Sequence, residues 1–138
     1  MIEKFSLSCE ALPALPTPHD CIIERVSVDE EYIVFHFENR ICTHDSIAYI
    51  HPNADSLTIR YHLCDPVYDT YQWKLHTSLF GKEGYALIDN SKLPLKSKEG
   101  LAYLYHTIGY QAIMIKLWQG GHILIDAHVD YVEYEWIE

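Results

Sequence analysis

Tyr110-Gln111-Ala112-Ile113-Met114-Ile115-Lys116-Leu117-Trp118, Gln119-Gly120-Gly121 and His122-Ile123-Leu124-Ile125-Asp126-Ala127-His128-Val129-Asp130 follow one another near the C-terminus. Two β-rich runs joined by a glycine-bearing turn read as a β-hairpin. A hairpin with one apolar face needs more sheet to cover it, so this stretch sets the class as mainly β. Its register follows from its faces. With Gly120-Gly121 alone as a two-residue loop, Ile113 would oppose His128 and Ile115 would oppose Asp126, mixing core with solvent. With Gln119-Gly120-Gly121 as the loop, Leu117 opposes Ile123, Ile115 opposes Ile125, Ile113 opposes Ala127 and Gln111 opposes Val129. A slip of one residue exchanges the faces, so the one-sided pattern selects the three-residue loop. Gly121 is expected in the left-handed conformation there. Met114, Lys116, Asp126, His128 and Asp130 share the other face, with Lys116 diagonal to Asp126 for a weak ion pair.

Working outward, Cys21 to Val28 and Ile33 to Glu38 flank a polar loop, Asp29-Glu30-Glu31-Tyr32. Val28 then opposes Ile33 and Val26 opposes Phe35, but Glu24 opposes Phe37, which predicts a bulge near Ile22-Ile23. Ile47 to Ile50 reads as a short strand closed by the turn cluster His51-Pro52-Asn53-Ala54-Asp55. Leu57, Ile59, Tyr61 and Leu63 alternate with polar residues, as in a half-buried strand. Val67, Tyr71, Trp73 and Leu75 continue that face, with Gln72, Lys74 and His76 opposite. Lys82-Glu83-Gly84 is a turn before Tyr85 to Ile88. Ser97 can cap a helix over about 98–108, with Leu101, Leu104, Tyr105 and Ile108 on one face and Gly109 at its end; the alternation of Leu101, Tyr103 and Tyr105 supports a strand instead. The closing run from Tyr131 to Trp136 changes apolar phase between Tyr131 and Val132, which predicts a bulge there. The three prolines of residues 10–18 make residues 1–18 an extended lead-in.

The chain of 138 residues is sized for one domain, residues 1–138. Apolar residues are 49 % and charged residues 22 % of it, which argues against disorder. The expected fold is a single-domain antiparallel β-sandwich or flattened barrel of about seven strands, with at most one substantial helix. Its core should include Val26, Phe35, Phe37, Leu57, Ile59, Leu63, Ile113, Ile115, Leu117, Ile123 and Ile125. The formal net charge of −10 would repel a phosphate backbone, so nucleic acid is not an expected partner. No run approaches a transmembrane helix, and the N-terminus lacks the apolar stretch of a signal peptide, so a cytoplasmic protein with reduced thiols is expected. The cysteines at 9, 21, 42 and 64 form no CxxC pair.

Nine histidines invite a search for chemistry. Asp126-x-His128-x-Asp130 places three ligand types on one strand face, and carboxylate with imidazole suits Zn²⁺ or Mn²⁺. A metal-dependent hydrolase with a metal-bound water is the reading this supports; a solvated strand face is the plainer one. His19-Asp20-Cys21 and His44-Asp45 offer a base and a nucleophile, although Asp20 would point away from His19 on a strand and suits a turn cap better. His62 and Cys64 share a face beside Arg60. There is no GxSxG, phosphate loop or HExxH. Tyr61, Tyr71, Trp73, Tyr131, Tyr134 and Trp136 would line a barrel mouth or a partner face, and a lipocalin-like small-molecule binder is a further reading.

Pro18-His19-Asp20-Cys21-Ile22-Ile23-Glu24-Arg25-Val26-Ser27-Val28, an acidic turn and Tyr32-Ile33-Val34-Phe35-His36-Phe37 resemble the first hairpin of small bacterial all-β proteins, many of unknown function and some described as immunity proteins of toxin systems. The resemblance covers about 20 residues, its distinctive element is the His-Asp pair, and it transfers no catalytic residue. It implies a binding protein of the immunity-inhibitor type. The charge adds a basic protein partner, the missing export signal adds a cytoplasmic place, and the missing catalytic motifs add a role without a cofactor. The charge and the 11 tyrosines point the same way, since acid steers a cationic partner and aromatics anchor interfaces. Homo-oligomerisation is compatible with such a surface. The expected binding face carries Asp126, Asp130, Glu133 and Glu135, with Tyr131, Tyr134 and Trp136 as anchors.

Overall fold

The computed structural model describes residues 1–75, 83–90, 93 and 99–138. Among these, ten strands form one antiparallel sheet: β1 (Ile2–Ser6), β2 (Ile22–Val28), β3 (Tyr32–Phe37), β4 (Ser56–Leu63), β5 (Asp69–Leu75), β6 (Glu83–Ile88), β7 (Leu101–Gly109), β8 (Ala112–Trp118), β9 (His122–Ala127) and β10 (Val129–Ile137). Their spatial order is β1-β10-β4-β3-β2-β7-β8-β9-β5-β6. The mainly β class is as expected; the strands number ten rather than about seven. Consecutive strands β9 and β10 lie six places apart in this order, so the sheet must fold over on itself. Their junction at His128 is the corner. The sheet is not closed, and β1 and β6 are its edges.

The two halves put their apolar faces together. Ile33, Phe35, Ile59, Tyr61, Val132 and Tyr134 come from one half and Tyr103, Ile113, Ile115, Leu117, Ile123 and Ile125 from the other, all buried. Every core position expected from the sequence is buried except Val26, which is half-buried against the cluster. The β8–β9 register pairs Leu117 with Ile123, Ile115 with Ile125 and Ile113 with Ala127, so the three-residue loop is present. The left-handed glycine is Gly120 (φ 68°), however, not Gly121. Gln111 is no strand residue: with φ 49° it makes the tight turn between Gly109 and Ala112. The β2–β3 hairpin pairs Val28 with Ile33 and Val26 with Phe35, and a register shift between Ile23 and Arg25 lets Ile23 rather than Glu24 face Phe37. Asp29 caps that turn by accepting the amides of Glu31 and Tyr32 through Oδ1.

Four expectations are corrected. Residues 101–109 are strand, not helix, because Leu101 and Tyr103 point into the core. A bulge between Tyr103 and Tyr105 then moves the inward set to His106 and Ile108, an irregular spacing that imitates a helical period. Ser97 and Lys82 lie outside the described residues, as does His76. Ile47–Ile50 is not a strand. β3 and β4 pair directly, leaving no edge between them, so the connection instead turns through a 3-10 segment (Ile41–Thr43) and α1 (Asp45–Ala48), burying Ile41 and Ile47. On β5 the inward residue is Thr70, whose hydroxyl donates to Asn90 Oδ1, while Tyr71 and Trp73 face outward. The β10 bulge falls between Val129 and Tyr131, just before the expected place. Leu15 and Pro18 of the lead-in are buried, and Tyr134 donates to the Pro16 carbonyl at 2.7 Å.

Candidate functional site

The corner at His128 separates the residues expected to act together. Asp126 is exposed at the end of β9, opposite Met114 on β8 and Asp69 on β5. Asp130, at the β10 bulge, accepts a 2.6 Å bond from His62 Nδ1 in the other half. Asp126, His128 and Asp130 therefore do not line one uninterrupted strand face. Among the described residues no group of three or more His, Cys, Asp or Glu is placed to hold a metal ion. Glu133 and Glu135 lie on the outer face of β10 with cations at hand: Lys4 is opposite Glu133 on β1, and Arg60 Nη2 is 3.5 Å from Glu135. Tyr134 and Trp136 are 0 % and 3 % exposed and so are core residues, not anchors of an outer face. Tyr61 is buried as well. Lys116 lies over the ring of Tyr105 and makes no ion pair with Asp126.

Tyr131 does face outward, in a cluster that sequence spacing could not assemble because it spans four strands. His62 stacks on its ring at 4.5 Å, Lys4 Nζ lies 4.0 Å from the ring centroid, and its hydroxyl meets that of Tyr32 at 2.6 Å. The Tyr32 hydrogen bond, ahead of desolvation, holds the Tyr131 phenol above its usual pKa.

The two His-Asp pairs do meet. His19, Asp20, Thr43, His44, Asp45 and Ser46 line a cleft of about 390 Å³. Asp20 reaches its neighbour His19 (3.4 Å) because it sits in a turn at φ 66°, not on a strand. His19 Nδ1 also bonds the Leu104 carbonyl at 2.7 Å, and His44 Nε2 meets Glu38 at 3.1 Å. The nucleophile fails, however. Cys21 is buried, and burial pushes its thiol up to about 11, so it stays protonated at neutral pH.

Acidic residues from several loops gather at the corner end of the folded sheet. Asp29, Glu30 and Glu31 come from the β2–β3 loop, Asp65 from the β4–β5 loop, Asp69 from the start of β5, and Asp126 and Asp130 from the corner. Backbone bonds tie these loops together: Leu63 N to the Glu31 carbonyl (2.7 Å), Cys64 N to the His128 carbonyl (3.0 Å) and Leu7 N to the Asp130 carbonyl (2.7 Å). Residues 29–31, 64–69 and 126–130 contain no Lys or Arg. A cleft of about 460 Å³ opens beside them, lined by Val26, Val28, Tyr68, Asp89, Asn90 and Leu93. It adjoins the part of β2 left unpaired with β7, since their pairing is confined to Ile22 and Ile23. Burial, then the Asp89 carboxylate, raises the Tyr68 pKa. Apolar walls beside acidic loops fit a side chain that has an aliphatic stem and a cationic head. The acidic loops were legible in the sequence; their meeting at one end depends on the crossed strand order.

No helix among the described residues is long and apolar enough to cross a membrane. Comparisons with protein-family models, with curated proteins and with solved structures gave no match.

Proposed function

We propose that this chain is a non-enzymatic binding protein whose acidic corner end docks a basic protein, in the manner of an immunity-type inhibitor. The observation that carries the reading is the coincidence, at one end, of the acidic loops with a cleft walled by Val26, Val28 and Leu93. Complementary charge speeds encounter, and a Lys or Arg of the partner entering between Val26, Val28 and Leu93 supplies register. The outer face of β10 is a weaker candidate because Arg60 already pairs with Glu135 and Lys4 is held over Tyr131 on the same face.

The test is affinity capture from native lysate with three baits. The wild type should retain a basic protein at low salt and release it at high salt. The variant Glu30→Gln/Glu31→Gln/Asp65→Asn/Asp126→Asn should lose that protein, and Glu133→Gln/Glu135→Gln should keep it. Capture that survives the first variant, or that fails only in the second, overturns the assignment of the acidic end.

A further inference from the structure

The outer face of the β7-β8-β9-β5-β6 half carries a shallow cup of about 230 Å³, lined by Tyr85, Tyr105, Thr107, Met114, Lys116 and Leu124. The register builds it: Lys116 stands between Tyr105 on β7 and Leu124 on β9, and Thr107 is opposite Met114. Lys116 is half-buried here, with Nζ 5.6 Å from the Tyr105 ring centroid. The neighbouring phenol of Tyr105, first, and that of Tyr85 favour the charged ammonium and raise its pKa, against a desolvation that lowers it. Among the described residues no carboxylate forms an ion pair with it. In a chain of net charge −10, a cation left to phenols is unusual.

A phenol oxygen that accepts from an ammonium keeps its own O–H to donate. The cup therefore presents donors from Lys116, Tyr85, Tyr105 and Thr107 beside the apolar surfaces of Met114 and Leu124. The ammonium can only donate and the hydroxyls can turn their O–H the same way, so an acceptor-only group complements the set, and hydrocarbon complements the apolar surfaces. We propose that this cup binds a small carboxylate with a compact apolar or aromatic body, its oxygens on Lys116 and the tyrosine hydroxyls and its body over Met114 and Leu124. The volume lies below the roughly 300–1,000 Å³ of sites for drug-sized ligands, which sets the size class. A monoanion also suffers less than a phosphate dianion from the field of the acidic chain. The cup borders the acidic corner end, since Asp126 is opposite Met114, but it does not depend on that end's role.

The chain has two methionines, so methyl-labelled methionine gives an NMR reporter in the cup, Met114, and a control outside it, Met1. Titration with sodium phenylacetate should shift the Met114 methyl saturably and leave Met1 in place. Phenylacetamide, the same body without the charge, should bind at least about tenfold more weakly, as should phenylacetate to Lys116→Gln. Tyr105→Phe keeps the ring and removes one donor, so a loss of about threefold or more is expected with the fold intact. A stationary Met114 signal overturns the proposal, and so does equal affinity for phenylacetamide. Unchanged affinity in either variant does the same.

Discussion

The two outer faces of the folded sheet share one backbone geometry and solve the problem of solvent in opposite ways. On the β1-β10-β4-β3 side, charges meet charges or rings: Arg60 with Glu135, His62 with Asp130, Lys4 over Tyr131. On the other side Trp73, Tyr85, Leu87, Tyr105, Met114 and Trp118 are all more than a third exposed. Trp73 and Tyr85 pack edge to face at 4.9 Å, as do Trp118 and His122 at 5.0 Å. On the first face the paired charges are partnered within the chain. The second keeps apolar area in water, which on soluble monomers marks surface reserved for contact. Paired charge and exposed apolar surface thus lie on different sides of one core.

That division can be broken at its centre. Ile59→Ala beneath the charged face and Ile115→Ala beneath the aromatic face should each cost about 2–5 kcal/mol in urea denaturation. Because the halves share one core, each variant should shift a single cooperative transition. A second transition in Ile115→Ala would show that the aromatic half folds as a separate unit.

A smaller effect comes from pH. Burial lowers the pKa of His106, whose Nδ1 is 2.6 Å from the buried Tyr103 hydroxyl. Burial, then Arg25 and Arg60, lowers that of His36. The unfolded chain binds these protons near pH 6.5 and the folded chain only below that. Their contribution is therefore present in full above about pH 6.5 and is lost as pH falls toward the folded values. The urea midpoint should drop between about pH 7 and about pH 5.5, and His106→Gln should make that drop shallower; an equal slope in the variant would remove His106 from the account.

The faces themselves give the smallest changes. Glu135→Gln should cost about 1 kcal/mol or less, since a half-exposed ion pair contributes little. Leu87→Ser should alter stability by no more than about 0.5 kcal/mol. A loss above about 2 kcal/mol in Leu87→Ser would mean that the aromatic face is structural rather than free for contact.

What was readable in the sequence follows the range of the interactions. The hairpin registers at Val28–Ile33 and Leu117–Ile123 depend on neighbours in the chain and on alternation, and both are present. Residues 101–109 misled because one bulge breaks the period of two. Tyr71 and Trp73 misled because the buried place on β5 belongs to Thr70, which has Asn90 for its hydroxyl. Tyr134 and Trp136 were assigned to a binding face for their ring chemistry, but alternation after the β10 bulge turns them inward. Asp126 and Asp130 were read as one strand face with Glu133 and Glu135, but the strand breaks at His128, between Asp126 and Asp130. No local pattern encodes a strand order in which β9 and β10 lie six places apart.

The insertion of β10 between β1 and β4 also orders events in time. Β-strand 1 can join the sheet only through β10, the tenth strand in chain order, so a growing chain holds its first strand unattached until the tenth emerges. During synthesis the β4 edge stands open, a template for pairing with other chains. Closing it demands a contact between residues such as Ile2 and Glu135, among the longest loops the chain can form. Slow completion of the sheet, with an open β4 edge until then, is built into this topology.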